Sequence, residues 1–192
     1  MSGLTDTEQA AIRKIVLHIG DSDGLTLEQF CHFLKIYKQL DLTKGAEISG
    51  EDIDAVQEDA DGFDEKRAQL LFYGMDVDNS THIQASEIYE YIAATRNSDF
   101  KWMTKMIFRG ADKDRSRKVS FDELQEAYNH MGVEPMTKEE FENKCKIELG
   151  SKKSEIEYWQ FYKLLTGETL DETTDPYDGK LPEQKSKCCL LL

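Results

Sequence analysis

Apolar residues recur along this chain at the i, i+3, i+4, i+7 spacing of one helix face, in short blocks separated by polar turns. Phe33, Ile36, Tyr37 and Leu40 form one block, and Ala68, Leu71, Phe72 and Met75 form another. Nearer the N-terminus, Ile12, Ile15, Val16 and Ile19 follow Thr5 and Glu8, which are placed as a capping box. Gly20 to Gly24 (GDSDG) then breaks the helix, and Thr26 and Gln29 cap the next one. Phe161, Leu164 and Leu165 give a last apolar face. After Gly167 the periodicity stops, and a segment rich in turn formers reads as a flexible tether. The pattern predicts an all-α protein.

Two twelve-residue segments between helical blocks carry oxygen-bearing side chains at positions 1, 3, 5, 9 and 12. Residues 76–87 (DVDNSTHIQASE) place Asp76, Asp78, Ser80, Gln84 and Glu87 there; residues 112–123 (DKDRSRKVSFDE) place Asp112, Asp114, Ser116, Ser120 and Glu123. Calcium takes six to eight hard oxygens, one carboxylate often bidentate, and this spacing supplies such a set once the carbonyls of His82 and Lys118 at position 7 are added. Position 8 is apolar in both, Ile83 and Val119. With Ile48 and Ile156 these residues stand 35, 36 and 37 positions apart, an internal repeat.

These motifs resemble the calmodulin-like EF-hand superfamily over residues 25–166. The resemblance implies four EF-hands in two paired lobes, plus an extra N-terminal helix. Residues 1–24 would be that helix and its turn. Residues 25–96 would hold the first pair, with loops 41–52 and 76–87, and residues 97–166 the second, with loops 112–123 and 149–160. Residues 167–192 would be the tail. Pairing through position 8 sets Ile48 against Ile83 and Val119 against Ile156. The GDSDG turn leaves two readings open: a vestigial fifth hand with Asp21 and Asp23 as ligands, or turn residues beside a packing helix.

The other loops depart from the motif. Loop 41–52 keeps Asp41 and Thr43 but has Gly45 at position 5 and the shorter Asp52 at position 12, so weak binding or Mg2+ is expected there. Loop 149–160 has Leu149, Lys153 and Gln160 at positions 1, 5 and 12 and reads as structural, because an ammonium group repels a cation. Position 6, where glycine supplies a positive φ, is Thr81 in one good loop and Arg117 in the other, a strain of about 1–3 kcal/mol each. Two Ca2+ ions per chain are expected.

The net charge of -14 argues against nucleic acid and suits cations or basic partners. Four cysteines suggest no disulfide framework, and no apolar run approaches the roughly 20 residues of a membrane span. A cytoplasmic protein is expected. Cys189-Leu190-Leu191-Leu192 is similar to a CaaX box of the geranylgeranyl type, with Cys188 as a second lipid acceptor, which implies peripheral attachment to membranes. His18, His32, His82 and His130 are scattered without a nucleophile or phosphate loop, so no enzyme is expected. Trp102, Met103, Met106, Ile107, Phe108, Met131 and Met136 either line a target groove or fill a core. Three functions stay open: a lipid-tethered calcium sensor with a calcium-dependent protein target, a calcium buffer, and a permanent regulatory subunit of an enzyme, as in the calcineurin B type.

Overall fold

Thr5 and Thr26 start their helices as the sequence predicts, each side chain accepting the N–H three residues on while Glu8 and Gln29 reach back. Each such cap stabilises a helix start by about 1 kcal/mol. A computed structural model describes residues 3–56 and 64–181. Within them α1 (Asp6–Ile19) and α2 (Leu27–Gln39) are followed by a 3-10 turn (Leu42–Glu47), α3 (Gly50–Asp54), α4 (Glu65–Met75) and α5 (Ala85–Arg96). The second half has α6 (Phe100–Ala111), β1 (Lys118–Ser120), α7 (Phe121–Met131), α8 (Lys138–Leu149), β2 (Glu155–Glu157) and α9 (Tyr158–Thr166). The protein is mostly helical, with one small antiparallel sheet among the described residues, and none of the described helices is long and apolar enough to cross a membrane.

Each acidic loop is backed by a second loop through its position 8. Val119 pairs with Ile156 in the β1–β2 sheet, as expected. Ile83 pairs elsewhere: its partner is Leu25, with Leu25 N–H to Ile83 O at 3.0 Å and Ile83 N–H to Leu25 O at 2.8 Å. The expected Ile48–Ile83 pairing is therefore replaced, and α1–turn–α2 is the unit that backs loop 76–87. The exit helices explain the choice. After Leu25, α2 buries Phe30, Phe33 and Ile36, whereas the helix after Ile48 runs only from Gly50 to Asp54 and buries Ile53 alone. Gly24 makes the close approach possible, since its φ is +123° and a Cβ there would stand 2.6 Å from Ile83 O. Ile48 is still buried, as part of the core that α1 shares with the 3-10 turn.

Two apolar cores result. Ile12, Ile15, Phe30, Phe33, Ile36, Phe72 and Ile88 centre the first; Phe108, Val119, Phe141, Ile156 and Phe161 centre the second. Helix α6 serves both, with Met106 in the first core and Phe108 in the second. It crosses α4 at two glycines. A Cβ on Gly110 would lie 2.5 Å from Leu70 O, and one on Gly74 would collide with Met106 O, so backbone meets backbone on both sides of the crossing. Gly74 and Gly110 each stand two residues before an acidic loop, which brings the two loops side by side.

The chain after Gly167 also differs from the tether the sequence suggests. Tyr177 is fully buried and Leu181 nearly so, packed with Val77 of the first acidic loop. Short polar turns hold this segment: Asp175 accepts the N–H groups of Tyr177 and Gly179 at 3.0 and 2.9 Å. A strap built on turn chemistry has no helical period to detect. Cys188 and Cys189 lie outside the described residues.

Candidate metal centres

Loop 76–87 joins the C-terminus of α4 to the N-terminus of α5, and loop 112–123 joins α6 to α7. In each, the chain turns through left-handed conformations at positions 4 and 6: Asn79 and Thr81 at φ 58° and 68°, Arg115 and Arg117 at φ 58° and 69°. The expected strain at Thr81 and Arg117 is present. It allows the N–H groups of Ser80 and Thr81 to reach Asp76 (2.8 and 3.1 Å), and those of Ser116 and Arg117 to reach Asp112 (2.9 and 2.9 Å). The first carboxylate is thereby fixed at the loop's centre.

Around it the predicted oxygens gather. Ser80 Oγ lies 3.3 Å from Asp76 Oδ1 and 2.9 Å from the His82 carbonyl; Ser116 Oγ lies 3.2 Å from Asp112 Oδ1 and 3.0 Å from the Lys118 carbonyl. One carboxylate oxygen from each of Asp76, Asp78 and Glu87 lies within 4.8 Å of the others, and the same holds for Asp112, Asp114 and Glu123. These two are the acidic groups able to hold a metal ion among the described residues. Gln84 and Ser120 stand at the starts of the exit helices. Gln84 N–H donates to Glu87 Oε2 at 3.0 Å, and Ser120 Oγ lies 2.7 Å from Glu123 Oε2.

The electrostatics fit a cation. Burial pushes the carboxyls of Asp76 and Asp112 above the ordinary range and raises Glu87 from 4.5 to about 7, against the pull of the N–H groups from Gln84 and Val77. Asp114 is held below its usual value, first by its hydrogen bond with Ser116. Partly desolvated carboxylates that face one another are costly as anions, and a divalent ion among them removes that cost. An all-oxygen donor set with a terminal Glu suits a hard cation.

The remaining candidates are used differently. Asp41 Oδ1 accepts Thr43 N–H at 3.0 Å, while Asp52 Oδ2 closes the capping box with Ser49 at 2.6–2.7 Å. They cap separate elements, so the expected weak or magnesium site at 41–52 is not assembled among the described residues. Asp21 Oδ1 accepts Asp23 N–H at 2.9 Å, the geometry of turn residues. Residues 149–160 contribute β2, and Gln160 is buried at the start of α9.

Two residues of the site carry no signal in the ligand spacing. Arg115, 6 % exposed, donates to Arg109 O (2.9 Å), Tyr73 O (2.9 Å) and Asp76 O (3.0 Å), and its Nε to Asn79 Oδ1 (3.3 Å). It ties the second loop to the first. Tyr177, from the strap, donates its hydroxyl proton to Asp112 Oδ2 at 2.7 Å. Of the set read as groove or core, Met106 and Phe108 are core, whereas Met131 lines an open cleft of about 510 Å3 with Leu34, Tyr37, Ala68, Leu71 and Tyr91. Comparison of the chain with protein-family models, with curated proteins and with solved structures matched none.

Proposed function

We propose that this chain is a calcium-binding protein of the EF-hand type, holding one Ca2+ in loop 76–87 and one in loop 112–123, and that calcium changes how it meets a protein target. The observation that carries the reading is the repetition of one oxygen cluster, Asp–Asp–Ser–carbonyl–Glu, in two loops that turn left-handed at the same positions, 4 and 6, and are each paired antiparallel at position 8. Calcium fits better than magnesium, because a bidentate Glu with a carbonyl and a hydroxyl makes an irregular shell that magnesium's octahedron rejects. Calorimetry of the full chain with CaCl2 is expected to give two ions. Glu87→Gln and Glu123→Gln are each expected to remove one, and full stoichiometry in either variant would overturn the assignment.

The cleft, lined by Leu34, Leu71, Tyr91 and Met131 and rimmed by Lys38, Asp64 and Arg67, supports a protein partner with an apolar face and charged flanks. The glycine-locked crossing of α4 and α6 supports a second reading, a calcium buffer that changes shape little. An apolar dye separates the two: a sensor binds more of it with calcium than with chelator, and a buffer binds the same amount. The lipid anchor at Cys189 is proposed from the sequence. Intact mass from a eukaryotic host, with Leu190–Leu192 removed and an isoprenyl group gained, is the expected result.

A further inference from the structure

The strap Asp171–Leu181 lies against loop 112–123 through groups that the loop's own spacing does not include. The buried Tyr177 ring sits beneath the guanidinium groups of Arg115 and Arg117, at 5.5 and 6.0 Å from its centroid. Its hydroxyl donates to Asp112 Oδ2 at 2.7 Å, beside the Arg117 N–H that donates to the same oxygen at 2.9 Å. Asp112 Oδ1 is thus left turned toward Ser116 and the oxygen cluster. Asp76 has its corresponding oxygen fixed by Thr81 N–H at 3.1 Å, and the strap meets that loop through the Tyr177 ring and Leu181 packed with Val77, while the Tyr177 hydroxyl also accepts from Arg115 Nη1 at 3.4 Å.

The rest of the strap is held by exposed pairs, Arg117–Asp175 at 3.1 Å, Lys180–Glu90 at 3.5 Å and Lys105–Asp178, and such pairs contribute little. Close by, Arg109 is 1 % exposed, and its Nε and Nη2 have no hydrogen-bond partner among the described residues. Its guanidinium stands 5.7 Å from the Trp102 ring centroid, and the Asp178 carboxylate of the strap acts on it electrostatically. The strap's buried contacts are therefore those of Tyr177 and Leu181.

We propose that Tyr177 is a positioning residue for the second metal centre, and that strap docking and cation binding in loop 112–123 reinforce each other. The inference rests on the cation reading of that loop. Holding Asp112 by its outer oxygen spends the ordering cost before the ion arrives, and outer partners of this kind change metal affinity about 10- to 100-fold. Linkage requires the reverse effect of the same factor: an ion bound at Asp112 fixes the acceptor of Tyr177 and holds the strap closed.

The test uses the full chain, CaCl2 and Tyr177→Phe, which keeps the ring and removes only the donor. Amide resonances of Thr81 and Arg117, whose N–H groups donate to Asp76 and Asp112, report the two loops separately. The Arg117 titration is expected to weaken about 10- to 100-fold in Tyr177→Phe while the Thr81 titration stays in place. Coincidence of both curves with wild type overturns the proposal, and so does an equal shift in both, which marks general damage. Hydrogen exchange of wild-type residues 173–181 gives a measurement that needs no variant at Tyr177. Exchange is expected to slow with calcium in wild type and to be unchanged by calcium in Glu123→Gln; calcium-independent exchange in wild type overturns the coupling. If neither amide of the wild-type chain responds to CaCl2, the cation reading itself fails, a result distinct from either of these.

Discussion

Alanine at Gly74 or Gly110 puts a methyl group where two helix backbones meet. A Cβ on Gly110 would lie 2.5 Å from Leu70 O and 2.8 Å from Leu70 Cδ1, and one on Gly74 would lie 2.7 Å from Met106 Cγ and nearer still to Met106 O, where ordinary contact begins at 3.4 Å. The side-chain carbons can swing away, but the carbonyls belong to helix backbone and cannot. The helices must part by roughly 1 Å, an overpacking cost of about 1–3 kcal/mol. Against this stands the helix propensity of alanine, about 0.8–1 kcal/mol over glycine. A net loss of up to about 2 kcal/mol is expected for each variant, measured by urea unfolding with chelator present. The double variant sharpens the test, since the second methyl enters a gap that the first has opened. Its loss should fall short of the sum by about 0.5 kcal/mol or more. A Gly74→Ala chain stabilised by the propensity difference would refute the crossing, and strict additivity would refute its shared character.

Gly24→Ala is expected to cost about 1–3 kcal/mol, from its positive φ and the clash with Ile83 O. Hydrogen exchange should rise at Leu25 and Ile83 and calcium affinity should fall in loop 76–87, while deprotection centred on Ile48 would restore the pairing read from the repeat. Glu87 sets a pH dependence: with its carboxyl raised from 4.5 to about 7, the folded chain keeps a proton that the unfolded chain has released. This stability is fully present below pH 4.5 and is lost as pH rises through 7. Urea unfolding of the calcium-free chain at pH 5 and pH 7.5 should show the fall, and Glu87→Gln should leave the part due to the raised carboxyls of Asp76 and Asp112, set against the opposite contribution of His130, which burial holds below its usual value.

The two oxygen clusters were legible because a loop of this spacing is a local code. Spacing alone brings Asp76, Ser80 and the His82 carbonyl to one point, and the same spacing does so from Asp112. The pairing of loops is not local, and there the repeat misled. Ile48, Ser49 and Asp52 follow the same order as Leu25, Thr26 and Gln29, an apolar residue, an N-cap and a residue that closes the box. What separates them is the helix that follows. Phe30, Phe33 and Ile36 continue one at helical spacing, and beyond Ile53 and Val56 the other passes into acidic residues. The paired glycines were readable in the same way, since glycine inside an amphipathic helix two residues before each acidic loop is costly without a packing reason. Tyr177 offered no such handle, being one aromatic among turn formers.

Arg115 accounts for how the two centres come to be one body. It occupies position 4 of its loop, between the ligands at 3 and 5, where the spacing code asks for nothing in particular. Its guanidinium reaches Arg109 O near the end of α6 and Tyr73 O and Asp76 O at the end of α4. Those carbonyls belong to the group that every helix leaves unpaired at its C-terminus, and a cation there also meets the negative end of each macrodipole. Two lobes on a tether would leave such groups to water. Here one side chain satisfies both ends from within the second acidic loop, and the residue after Met75, the last of α4, is Asp76, the first carboxylate of the other loop. The spacing of carboxylates determines how each loop can hold an ion; the shared helix cap determines how the two loops stand side by side.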